Sequence, residues 1–287
     1  MTSRNDMTGK VVLITGANTG IGRATALELA RAGARLVIAG RSAERTQEAI
    51  DGIIAETGND AIQLLPLDLG SLASVRACAE AFVTLDLPLD VLIANAGLAG
   101  SRGMTEDGFE LAIGVNHVGH ALLVLLLLDA LKASAPSRVV IVASKGHRKI
   151  DAIDFDQVHR ETKTMTGFPE YCQSKAMNIM FARELGRRLE GTGVTTYSLH
   201  PGVVASDVWR RVPWPFRALM KLRMISNEEG ALTTLHCATE ASLADETGHY
   251  YDECRRTDPY PSAADDAVAA ELWERTLEWV GMADLEV

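Results

Sequence analysis

A single α/β domain built on a doubly wound parallel sheet is the architecture that this sequence predicts, on three observations. Short apolar runs alternate with helical stretches from Val11 to Tyr251, the first run leads into a glycine-rich turn and a helix, and no linker or repeat interrupts the alternation. About seven strands are expected, with helices on both faces of the sheet.

The first unit is Val11 to Ile14, then TGANTGIG from Thr15 to Gly22, then the helix-forming run Ala24 to Ala30. Gly16 and Gly20 let the backbone turn sharply and approach a pyrophosphate, and Gly22 allows the helix to pack closely. The helix N-terminus then faces the anion. Thr15, Gly16, Asn18, Thr19, Gly20, Ile21 and Gly22 are therefore the candidate nucleotide turn. A plain βα turn with no ligand fits the octapeptide taken alone. Arg35 to Ala39 reads as the second strand, and Ser42 as the cap of a helix running through Ile54. A dinucleotide site for NAD expects an acidic residue at the end of this strand. Here Gly40 and Arg41 stand there, so repulsion of a 2′-phosphate is missing and a guanidinium is offered, which favours NADP(H). The plainer reading of Arg41 is a solvated loop arginine.

Ala61 to Leu67 is the third strand and runs into Asp68 and Leu69, with Ser71 starting the next helix. Asp68 suits an adenine amine or a turn that bonds its own backbone, and the sequence does not separate the two. Asp90 to Ala94 is the fourth strand, followed by Asn95, Ala96 and Gly97, small enough to leave room for a cofactor. One long helical region is expected from Thr105 to Lys132. Its His117 and His120 have metal-ligand spacing without a third ligand, and packed histidines explain them better. Arg138 to Ala143 delivers Ser144 to the sheet edge where catalytic groups gather. Lys145 to Glu170 reads as a polar surface excursion. A helix follows from Tyr171 to Gly191, then a strand over Val194 to Leu199 ending in Pro201 and Gly202. A helix over Asn227 to Thr239, a strand at His249 to Tyr251 and a final helix over residues 264–281 complete the chain.

Composition excludes several classes. A formal charge of -10 over 287 residues argues against a nucleic-acid binder. Hydrophobic residues make up 47% of the chain, enough for a substantial core. The four scattered cysteines form no CxxC pair, and the polar N-terminus lacks the apolar core of a signal peptide. The most apolar stretch, Ala121 to Leu128, is far shorter than the roughly 20 residues of a membrane span. A soluble cytoplasmic protein is expected, with peripheral membrane contact and a homo-oligomer left open.

TGANTGIG, Asn95-Ala96-Gly97, Ser144, YCQSK and Pro201-Gly202, in this order, resemble the short-chain dehydrogenase/reductase family over nearly all of Lys10 to Tyr251. DGFELAIGVNHVGH and ALTTLHCATE resemble its retinol-dehydrogenase-like branch. The resemblance implies a Rossmann-type sheet and Ser144, Tyr171, Lys175 and Asn116 as the catalytic set. It further implies that Lys175 bonds the nicotinamide ribose and that Asn116 positions a water linking Lys175 to solvent. Leu69, Pro201, Gly202, Val203 and Ser206 would line the cofactor. Two positions depart from the family pattern: Ala94 replaces a common asparagine, and Ser206 a usual threonine.

Tyr171 and Lys175 are i, i+4, so one helix face presents both. Bringing a phenol from about 10 to near 7 takes roughly 4 kcal/mol. An ammonium at about 5 Å and an effective dielectric near 20 supplies roughly 3 kcal/mol of it. An oxidised nicotinamide would supply the remainder. The tyrosine then exchanges a proton with the substrate oxygen while Ser144 holds that oxygen. The function expected is NADP-dependent interconversion of an alcohol with a ketone or aldehyde on an apolar small molecule. The alternatives are a non-catalytic NADP sensor or scaffold and a reductase of conjugated double bonds. Asp207 to Ile225 is basic and rich in Trp and Met, which suggests a substrate lid over residues 207–226, or else a fixed amphipathic helix.

Overall fold

The computed structural model describes residues 6–202 and 225–287. Among them, β1 (Val11–Thr15), β2 (Arg35–Gly40), β3 (Ile62–Pro66), β4 (Val91–Ala94), β5 (Ser137–Val142), β6 (Val194–His200), β7 (His249–Asp252) and β8 (Arg255–Arg256) form one sheet. Its order is β3-β2-β1-β4-β5-β6-β7-β8. The seven expected strands are all parallel. The eighth was not foreseen: a tight turn through Glu253 and Cys254, with φ of 50° and 58°, folds two residues back antiparallel on β7.

Side chains alternate across the sheet, so each strand feeds two cores. Val12, Ile14, Leu36, Ile38, Val140 and Val142 face one side, against α1 (Gly20–Arg31), α2 (Ala43–Thr57) and α8 (Asn227–Thr239). Leu13, Val37, Leu92, Val139 and Ile141 face the other. There they meet α3 (Leu72–Thr84), α5 (Gly119–Leu126), α7 (Phe168–Arg188) and α10 (Asp266–Trp279). Ser42 and Ser71 cap α2 and α3, their hydroxyls accepting from the Arg45 and Ser74 amides.

The region expected as one helix from Thr105 to Lys132 is broken into pieces. Helix begins only at α4 (Leu111–Ile113), where the Glu110 carboxylate accepts from the Ala112 and Ile113 amides. A wide π turn over Gly114–Val118 follows, then α5, a break at Leu127, and α6 (Leu128–Ala133). The glycines bracketing the π turn explain its place. A Cβ on Gly119 would strike the Leu69 carbonyl, and one on Gly114 would lie 3.0 Å from Phe109 Cβ.

Residues 145–170 are not a free surface excursion either. They carry two 3-10 turns, Lys145–Lys149 and Phe155–His159, and bury His147, Gln157, Val158 and Thr162. The Glu170 carboxylate accepts from the Lys163 and Thr164 amides, which anchors the end of this segment at the start of α7. The helix itself starts at Phe168, with Pro169 in its first turn, rather than at Tyr171. The last expected helix is α10, preceded by a short additional helix, α9 (Pro261–Ala264).

Candidate active site

The sheet order reverses between β1 and β4, and the crevice at the C-terminal ends of these strands is where open α/β sheets bind ligands. The β1 turn arrives there with Gly16 at φ 69° and Gly20 at φ 59°. A Cβ on Gly22 would stand 2.5 Å from both Asn95 Nδ2 and the Gly16 carbonyl, so only glycine lets α1 approach. Thr19 precedes α1 without a side-chain cap bond, and the first turn holds no acidic residue. These are the conditions for amides to face an anion. Asn18, Thr19, Gly20 and Ile21 lie at this surface, half-buried or exposed.

Asn95 and Ala96 hold the turn from the β4 side. Both amides donate to Thr15 Oγ1 at 3.0 Å, and Asn95 Nδ2 donates to the Thr15 carbonyl at 2.8 Å. Arg41 is exposed at the end of β2, and a Cβ on Gly40 would lie 2.7 Å from Thr46 Oγ1. Asp68 makes the turn bond, its Oδ1 accepting from the Gly70 amide at 2.9 Å, and this bond to one oxygen leaves the adenine reading open. Leu69 is buried behind it. Pro201 and Gly202 are half-buried after β6, Gly202 at φ 95°. Val203, Ser206 and residues 207–224 of the lid expected over 207–226 lie outside the described residues.

The structure brings Ser144, Tyr171, Lys175 and Asn116 to one place, and two glycines mark it. A Cβ on Gly146 would be 3.4 Å from both Ser144 Oγ and Tyr171 Cε1. A Cβ on Gly97 would be 3.2 Å from Asn116 Oδ1 and 3.5 Å from Lys175 Nζ. Lys175 Nζ donates to the Val142 carbonyl at 2.8 Å and lies 5.9 Å from the centre of the Tyr171 ring. Asn116 sits inside the π turn, where Oδ1 accepts from the Leu98 amide at 2.9 Å and Nδ2 donates to the Leu98 carbonyl at 3.0 Å. The same Nδ2 donates to Ser174 Oγ, which in turn donates to the Tyr171 carbonyl at 2.7 Å. Ser174 was missed in the sequence although it lies within YCQSK. The signal was its position three residues after the tyrosine, from where a serine hydroxyl can bond back along the helix.

Electrostatics depart from the sequence-based expectation. Burial pushes the Tyr171 phenol up to about 12, and the hydrogen bond from Ser144 offsets only part of that. Burial takes Lys175 down to about 7. Among the described residues the protein groups thus favour the uncharged form of both, because no acidic side chain there repays desolvation. Burial also pushes the Cys172 thiol up to about 12, which fits a small packed residue and not a nucleophile. His117 contacts Asn178 and Thr276, and His120 contacts Thr15 and Asn116, so both rings are committed to protein partners.

A glycine turn at the switch point of a doubly wound sheet, with a serine, tyrosine and lysine brought together near the C-terminal ends of its strands, defines a Rossmann-type nucleotide-binding protein. The family profile described as short chain dehydrogenase matches residues 10–153. Retinol dehydrogenase 12 from Homo sapiens is 44% identical over 281 residues, 96% of this chain and 87% of that one. Dehydrogenase/reductase SDR family member 13 from Bos taurus is 44% identical over 280 residues, 96% of this chain and 74% of that one. Among solved structures, an uncharacterized protein from Mycobacterium paratuberculosis superposes with a TM-score of 0.79 at 29% identity, covering 97% of this chain and 96% of its own. An active-site complex of Pseudomonas aeruginosa RhlG with NADP superposes at 0.70 with 26% identity, covering 88% and 97%. The chain belongs to the short-chain dehydrogenase/reductase family, in its retinol-dehydrogenase-like branch, and is an oxidoreductase of alcohols and carbonyl compounds.

Proposed function

We propose that this enzyme interconverts an apolar alcohol with its ketone or aldehyde using NADP(H), with Tyr171 exchanging the proton. The observation that carries the reading is the convergence of Ser144 and Tyr171 at Gly146 and of Asn116 and Lys175 at Gly97, beside the glycine turn. The residues present suit the nucleotide. Gly16 and Gly22 have no space for a Cβ, and α1 opens without an acidic residue. At Gly40 the contact with Thr46 excludes the carboxylate that NAD recognition uses, and the exposed Arg41 offers charge to a 2′-phosphate. The name of the human relative, a retinol dehydrogenase, supports an apolar alcohol as substrate.

When bound, NADP(H) supplies or accepts the hydride. The chain supplies the proton. With its phenol pushed up by burial, Tyr171 is in the donor form at neutral pH, which suits protonation of a carbonyl oxygen. Ser144 Oγ, beside it at Gly146, gives that oxygen a second hydrogen bond. Lys175, held on the Val142 carbonyl, presents a cation to the crevice whenever it is protonated. In the oxidative direction the phenol must first ionise, so alcohol oxidation gains with rising pH while carbonyl reduction does not.

The test is a panel of apolar aldehydes, ketones and alcohols with NADPH or NADP, followed by nicotinamide absorbance. Turnover of a carbonyl or alcohol is the expected result. Tight NADPH binding with no turnover would favour a sensor, and turnover confined to conjugated alkenes would overturn the alcohol/carbonyl assignment.

A further inference from the structure

Two buried imidazoles, His120 and His147, stand behind the site with both ring nitrogens engaged, and their partners dictate where each proton sits. Thr15 Oγ1 already accepts the Asn95 and Ala96 amides. A hydroxyl oxygen has two lone pairs, so its third bond, 2.9 Å to His120 Nε2, is one that it donates. That nitrogen is bare. The other, Nδ1, lies 3.0 Å from the Asn116 carbonyl, which can only accept, so Nδ1 carries the hydrogen. Both ends of the ring demand one tautomer. His147 repeats the pattern. Its Nδ1 lies 2.6 Å from the Ser144 carbonyl and must donate, while Nε2 accepts the Tyr260 amide at 3.1 Å.

Burial keeps both rings neutral. Burial takes His120 down to about 3 against the bond to the Asn116 carbonyl, with Lys175 and His117 adding to the lowering, and burial lowers His147 as well, Arg148 adding to it while the Ser144 carbonyl and Asp252 oppose it. A protonated His120 would need Thr15 Oγ1 to accept a third hydrogen. The structure therefore has, behind two of the four candidate catalytic residues, a neutral ring fixed on that residue's own carbonyl. Asn116 needs such a fixture because its π turn departs from regular helix, and Ser144 because it lies between the end of β5 at Val142 and the 3-10 turn that begins at Lys145.

We propose that His120 and His147 are positioning residues, neutral Nδ1–H imidazoles that clamp the backbone carbonyls of Asn116 and Ser144. Through Thr15, His120 also ties Asn116 to the nucleotide turn. The proposal rests on the reading of Asn116 and Ser144 as catalytic, and its test separates the two. Nitrogen-15 NMR of ring-labelled protein, assigned with His120→Asn and His147→Asn, is expected to show both rings as neutral Nδ1–H tautomers at pH 7. An Nε2–H or doubly protonated ring at either position overturns the clamp, whether or not the enzyme turns over.

Kinetics supply the second arm. Gln places a polar group near the ring's Nε2, and Asn near its Nδ1. His120→Gln is expected to keep NADPH affinity and lose roughly three- to tenfold in kcat, with His120→Asn showing the converse and His120→Leu losing both. His147→Leu should lower kcat by a similar factor at unchanged NADPH affinity, with recovery in His147→Asn. Folded Leu variants with the original kcat and affinity would overturn the proposal, as would a loss of melting temperature without this split. Ring NMR on the unaltered protein decides the matter even if the Leu variants do not fold. Failure of the unaltered enzyme to turn over any carbonyl would sink the functional reading and leave the tautomer result standing.

Discussion

At the end of β1 the site is built from backbone, and on α7 it is built from side chains. The β1 turn works through what it lacks: Gly22 has a carbonyl and an amide within 2.5 Å of where a Cβ would be, and Gly16 has Ala96 Cβ at 2.8 Å. The α7 face works through groups that burial has displaced from their ordinary chemistry, Tyr171 at 9% exposure and Lys175 at 4%. The first half should fail by steric intrusion, with fold and binding falling together. The second should fail chemically, with the fold intact.

The largest effect expected from breaking this contrast is at Tyr171. Replacing it by Phe keeps the ring and its stacking on Phe168 but removes the proton, so kcat should fall by roughly 10²–10⁴ while NADPH affinity stays within about twofold. Single-turnover absorbance together with calorimetric titration reads both numbers, and retained turnover would refute the mechanism. Arg41→Ala comes next. Loss of charge-assisted bonds of about 1.5–3 kcal/mol should erode NADPH preference over NADH by roughly 10- to 150-fold, measured as the ratio of kcat/KM values. Equal use of both cofactors by the unaltered enzyme would remove the premise. A smaller and different effect belongs to Gly22→Ala. One methyl against the Gly16 carbonyl and Asn95 should cost about 1–3 kcal/mol of stability and weaken NADPH in the same variant. If stability and affinity separate there, the backbone-built half is not the unit described.

The contrast also explains what the sequence could and could not reveal. Strand and helix positions were legible because alternation and capping are local: Val11–Thr15 faces both cores by period two, Ser42 and Ser71 cap as read, and α8 runs over Asn227–Thr239 as its pattern implies. The glycine turn and the i, i+4 pair of Tyr171 and Lys175 were legible for the same reason. The π turn at Asn116 was not, since it depends on how Thr105 and Phe109 fold back on Gly114 and on the Leu69 carbonyl, 50 residues away, pressing on Gly119. Nor was the electrostatics. A lysine four residues from a tyrosine suggests attraction and a lowered phenol, but that argument counts the charges and leaves out the desolvation that burial imposes on both groups. The tautomers of His120 and His147 needed partners 105 residues away at Thr15 and 113 residues away at Tyr260.

Lys175 offers the sharpest way to tell a side chain kept for chemistry from one kept for stability. Its value in the folded protein is about 7 against 10.5 for an ordinary lysine. Between these values the unfolded chain binds a proton that the folded chain does not, so stability contributed by this group rises with pH from about 7 toward 10.5. Below pH 7 the folded protein bears a buried ammonium at a cost of order 5 kcal/mol at most. Tyr171 does not disturb the window, because its upward shift acts only above pH 10. Lys175→Met removes the charge and the titration together, and the Val142 carbonyl that Lys175 served keeps the Asn178 amide at 3.3 Å. Without added nucleotide, the Met variant should melt about 2–4 °C above the unaltered protein at pH 6, for each 1 kcal/mol of cost relieved. The gap should narrow as pH rises to 9.5, and turnover should be lost throughout. A Met variant that melts lower at pH 6, or a gap that does not change with pH, would mean that Lys175 holds the fold and that its lowered proton affinity is not a strain the site maintains.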